Sequence, residues 1–71
     1  MVATILIVED DPALIDVLEY NMAAEGYVVV KAATSAAADS VLTSTIPDLV
    51  LLDWDISRRF WSRPLPQTAS F

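Results

Sequence analysis

Seventy-one residues, 55% of them hydrophobic, carry ten acids against four bases and neither cysteine nor histidine. That excludes a disulfide framework, a zinc–thiolate centre and any nucleophile activated by histidine. One small domain is the upper bound, and no apolar run reaches the ~18–20 residues of a membrane span.

The chain opens with TILIV, residues 4–8, an unbroken aliphatic and β-branched run that predicts a strand buried on both faces. EDDP follows. Asp11 suits a helix N-cap and Pro12 the first helical position. Leu14, Leu18 and Met22 recur at a four-residue interval with Ile15 beside them, which predicts a helix from Pro12 to about Glu25. Gly26, the chain's single glycine, stands where a left-handed residue ends a helix. YVVVK, residues 27–31, predicts a second strand. Thr34 or Ser35 can cap a second helix over 35–44, with Ala38, Val41 and Leu42 on its inner face. IPD breaks that helix, and LVLL, residues 49–52, predicts a third strand. The order β-α-β-α-β implies parallel strands with right-handed helical crossovers.

Charge divides the chain unevenly. Residues 1–57 hold all the acids and one base, Lys31, whereas residues 58–71 hold Arg58, Arg59 and Arg63 and no acid. An acidic body opposes direct nucleic-acid binding, which needs cations against phosphates. The amino end lacks the basic segment of a signal peptide, so a cytoplasmic location is expected.

Chemistry in a parallel α/β sheet collects beyond the carboxyl ends of the strands. The first strand runs into Glu9, Asp10 and Asp11, and the third into Asp53. If these strands are neighbours, both acid sets converge at one sheet edge. Carboxylates about 4 Å apart repel by roughly 4 kcal/mol at an effective dielectric of 20, so such a group calls for a cation. Hard oxygen ligands with room for water favour Mg²⁺. A carboxylate beside such an ion also serves as a nucleophile toward phosphorus.

ILIVEDDP, followed after two helix-strand steps by PDLVLLDW, resembles the receiver domain of two-component response regulators. The resemblance is to the phosphate-regulon-regulator-like subfamily, which carries a winged-helix DNA-binding domain downstream. It spans about residues 3–54. It implies a truncated flavodoxin-like α/β/α fold with parallel strands in the order 2-1-3. It also implies a division into a partial receiver over 1–57 and an unrelated basic, aromatic tail over 58–71. By that resemblance Asp53 accepts a phosphoryl group from a sensor histidine kinase. Asp10 binds Mg²⁺ directly, Glu9 assists, partly through water, and the backbone carbonyl of Asp55 is a further ligand. The chain is then a signalling phosphoacceptor and not an enzyme.

The departures begin after Asp55. The family continues with a Pro/Gly loop, two more strands and three more helices, which bring a hydroxyl residue and a lysine to the phosphoryl group. ISRRFWSRPLPQTASF matches none of this and shows neither a helical stripe nor strand alternation. Two other functions are weighed. LLDWDIS is similar to the Asp-x-Asp opening of haloacid-dehalogenase-type phosphatases, with Asp53 as nucleophile and Asp55 as acid/base, but this leaves Glu9 and Asp10 unexplained. The other is an interacting fragment without signalling chemistry. With no fourth strand expected, the outer edge of the third strand is open, and open apolar edges recruit other chains. A homo-oligomer through that edge is therefore expected, with Phe60 and Trp61 helping to cover the gap.

Overall fold

The structure, a computed structural model, describes residues 2–53 and 68–70. Along the chain come β1 (Thr4–Val8), α1 (Pro12–Ala24), β2 (Val28–Ala32), α2 (Ser35–Ser44), β3 (Leu49–Leu52) and β4 (Thr68–Ser70). The four strands form one parallel sheet in the order β2-β1-β3-β4.

The termini of both helices follow from their sequences. Asp11 is extended and accepts the backbone N–H of Ala13 at 3.0 Å, with Pro12 next in the helix. At the other end Gly26 has φ +93°, donates to the Ala23 carbonyl at 3.0 Å, and lets Tyr27 donate to Met22 at 3.2 Å. These are the two bonds of a Schellman ending. Tyr27 is thus committed to the helix end, and β2 begins one residue later than the apolar run suggests. In α2 the Thr34 hydroxyl oxygen accepts the Ala37 N–H at 3.0 Å.

The helices lie on opposite faces of the sheet. Ala38, Val41 and Leu42 of α2 pack with Leu6, Val8, Val30, Ala32, Val50 and Leu52. The register pairs Leu6 with Val30 and Val50, and Val8 with Ala32 and Leu52, so these are one face of three adjacent strands. Lys31, in register with Ile7 on the other face, forms an ion pair with Glu19 of α1 at 3.1 Å. Opposite faces are what chirality requires. The chain steps from β1 to β2 in one direction and from β2 past β1 to β3 in the other, and right-handed crossovers then alternate sides.

Burial concentrates on the central strand. Ile5, Leu6, Ile7 and Val8 are all buried, whereas Leu14, Ile15, Leu18 and Met22 of α1 are half-buried. Fully burying an aliphatic side chain contributes about 1.5–3 kcal/mol, so β1 and the α2 face provide most of the apolar stabilisation.

The tail behaves differently from expectation. Thr68–Ser70 pairs in parallel with Val50–Leu52 and takes the outer side of β3. The edge expected to be open is filled by the chain itself, and the case for a homo-oligomer through that edge loses its premise. A strand this short shows no alternation to read. What recruits it is the row of backbone N–H and C=O groups that β3 presents. Asp55, Phe60 and Trp61 lie outside the described residues. No helix among the described residues is long and apolar enough to cross a membrane.

Candidate functional site

Two backbone bonds carry the sheet one residue past its strands. The Glu9 N–H donates to the Ala32 carbonyl at 3.1 Å, and the Asp53 N–H donates to the Val8 carbonyl at 3.1 Å. Because Val8 and Leu52 are in register, the residues that follow them, Glu9 and Asp53, emerge side by side. Asp10 follows Glu9 at a bend. One carboxylate oxygen from each of Glu9, Asp10 and Asp53 lies within 4.8 Å of the other two. The convergence expected from strand order is therefore present.

The three acids differ in surroundings. Asp10 is exposed and Asp53 half-buried, while Glu9 is only 2% exposed, the one buried charged residue of the described chain. Glu9 Oε1 accepts the Asp11 N–H at 3.1 Å. Its Oε2 is buried and has no hydrogen-bond partner among the described residues. Burial drives the Glu9 carboxyl up to about pH 7. The Asp11 N–H opposes that shift. Asp53 and Asp10 add to it as acceptors for a Glu9 proton, and Asp53 adds repulsion as well. An ionised Glu9 therefore needs a cation, and a neutral one needs a proton. At 4.8 Å two carboxylates repel by roughly 3–4 kcal/mol at an effective dielectric of 20, which disfavours a charged Glu9 beside its neighbours.

The donor set is made of oxygens only, with its inner end buried and its outer end open at Asp10. That combination suits a hard divalent cation that keeps some of its water. Among the described residues, Glu9, Asp10 and Asp53 could hold it. Asp55 lies outside the described residues. Asp11, by contrast, is committed to capping α1 and orienting Glu9. The chain order did not reveal that Glu9 is the buried member of the group. The signal was available in the sheet itself, because Glu9 extends the central strand, whose neighbours on both sides cover it.

A β2-β1-β3 parallel core with helices on both faces, and acids gathered where β1 and β3 end, is the arrangement expected of a truncated flavodoxin-like, receiver-type fold. The chain is 36% identical over 72 residues to the phosphate regulon transcriptional regulatory protein PhoB of Rhizobium meliloti (strain 1021). The match takes in 90% of this chain and 32% of that protein, so the chain spans about a third of its relative's length. No protein-family model matches the chain.

Proposed function

We propose that this chain is a phosphoacceptor of two-component signalling, with Asp53 as the residue that accepts the phosphoryl group. Three features support it: the delivery of Asp53 by β3, the neighbouring acids, and the similarity to a phosphate-regulon regulator. The single observation that carries most is that Glu9 Oε2, buried beside Asp53, finds no hydrogen-bond partner among the described residues. An oxygen left in that state points to a missing positive charge.

In the transfer, an Asp53 carboxylate oxygen forms the new bond to phosphorus. The phosphorus–nitrogen bond to the donor histidine of a sensor kinase breaks, and the imidazole leaves with a proton. Bound Mg²⁺ would neutralise the charge that gathers on the phosphoryl oxygens. Glu9 holds its carboxylate at the inner wall, fixed by the Asp11 N–H, and Asp10 contributes from the solvent side. The family resemblance would add the backbone carbonyl of Asp55 to that set. The receiver portion is assigned to residues 1–57 and the tail to 58–71. A cytoplasmic location agrees with a kinase partner.

Acetyl phosphate with Mg²⁺ should add one phosphoryl group, seen by intact mass, in the wild type and none in Asp53→Asn. Absence of any adduct in the folded wild type would leave an interacting fragment without acceptor chemistry.

A further inference from the structure

The two strands that carry the acids are aliphatic throughout, TILIV against LVLL. A slip of β3 by two residues would keep every side chain on its own face, so the apolar pattern does not choose between registers. Such a slip moves Asp53 by about 6.6 Å along the sheet, at ~3.3 Å per residue. The carboxylate oxygens of the cluster lie within 4.8 Å of one another, so the slip would dissolve it.

Backbone bonds re-form in any register, whereas Asp48 keeps its carboxylate exposed, at the start of β1, only in this one: a two-residue slip sets it beyond the strand, at Val2, or opposite Leu6, which is fully buried. Its place is the opposite end of the β1–β3 ladder. Asp48 Oδ2 accepts the Thr4 N–H at 2.7 Å, and the Asp48 N–H donates to the Thr4 carbonyl at 2.8 Å. The two residues thus close a ring across the strands. Pro47, which is buried and has no N–H, precedes Asp48, so the ladder gains no donor from that position. Five positions separate Thr4 from Glu9, and five separate Asp48 from Asp53. Fixing the first pair therefore aligns the second.

We propose that Asp48 is a positioning residue, which by gripping the Thr4 N–H fixes the register of β3 on β1 and so sets Asp53 beside Glu9. The purpose of that alignment rests on the phosphoacceptor reading, whereas the register itself does not. The test compares the full chain with Asp48→Ala, Asp48→Asn and Thr34→Ala. Asparagine keeps an acceptor oxygen, and Thr34→Ala loosens α2 without touching the ladder. Backbone NMR contacts between Val8–Glu9 and Leu52–Asp53 read the register without metal, and Mg²⁺ titration of the Asp10 and Asp53 amides reads the site. Asp48→Ala should split or lose those contacts and weaken Mg²⁺ binding at least ten-fold. Asp48→Asn and Thr34→Ala should retain both. If Asp48→Ala does not fold, Thr4→Pro removes the donor instead, at a strand-initial position where proline is tolerated, and is read in the same way. Wild-type contacts in Asp48→Ala or Thr4→Pro would overturn the proposal, as would equal losses in Thr34→Ala. A wild type with these contacts but no Mg²⁺ response would sink the metal reading alone.

Discussion

Glu9 accepts the backbone N–H of Asp11 through Oε1 at 3.1 Å, while Glu9 Oε2, buried in the same place, has no partner among the described residues. The carboxyl is half satisfied, and its ionisation at about pH 7 in the fold compares with 4.5 for a free glutamate side chain. The folded protein therefore keeps a proton that the unfolded chain has released. That stabilisation is complete below pH 4.5 and is lost as pH rises through 7. At 1.36 kcal/mol per pH unit the loss amounts to about 3 kcal/mol. Urea denaturation in chelated buffer at pH 5 and pH 8 should show it. Glu9→Gln should flatten the profile across that interval and be the more stable protein at pH 8. A wild-type stability that rises from pH 5 to 8 would contradict the burial of an unpaired carboxyl here.

A cation competes with that proton. Mg²⁺ affinity should therefore increase between pH 6 and 8, as Glu9 becomes free to ligate. At a concentration ten times its dissociation constant, Mg²⁺ should stabilise the fold by about 1.4 kcal/mol. Asp53→Asn and Glu9→Gln should each reduce that gain. Trp54 follows Asp53 directly in the chain, so its fluorescence offers a convenient probe. Calorimetry at both pH values measures the affinity. Binding of equal strength at pH 6 and 8 would mean that Glu9 is not a ligand.

Gly26 isolates a backbone effect. Its φ of +93° is a conformation that side chains disfavour, yet a Cβ placed there meets nothing within 4 Å. Gly26→Ala should therefore cost about 1 kcal/mol through the backbone alone, with no packing contribution. Thermal unfolding of the variant checks the magnitude. A loss of several kcal/mol would show that the Schellman ending also holds β2 in place.

Much of this architecture was legible because local and global signals agree. Asp11-Pro12, Gly26 and Thr34 mark helix ends by chemistry that needs no tertiary context, and the aliphatic runs at 4–8 and 49–52 coincide with β1 and β3. The acid cluster was legible as a consequence of strand order. Its inner asymmetry was not, since Glu9 and Asp10 are adjacent and equivalent in sequence, and only the pairing of Glu9 with Ala32 shows which of them turns inward. The Thr4–Asp48 ring was hidden for a similar reason, because an Asp after a Pro reads locally as a helix breaker. β4 was missed outright, because Thr68–Ser70 gains its conformation from the edge it joins rather than from a pattern of its own.

That strand yields the last prediction. With Thr68–Ser70 paired to Val50–Leu52, the outer backbone of β3 has a partner within the chain. Each hydrogen bond so made contributes about 0.5–1.5 kcal/mol, but the larger consequence is for association. Removing residues 68–71 would turn β3 into an apolar edge strand, the kind of surface that pairs with other chains. The shortened chain should show concentration-dependent association by light scattering on a size-exclusion column, while the full chain stays at its starting mass under the same conditions. A shortened chain that remains monomeric and equally stable would show that β4 adds nothing to the sheet's closure. Association of the full chain to the same extent would place the contact elsewhere, with the β2 edge, whose outer flank no strand among the described residues covers, as the next surface to examine.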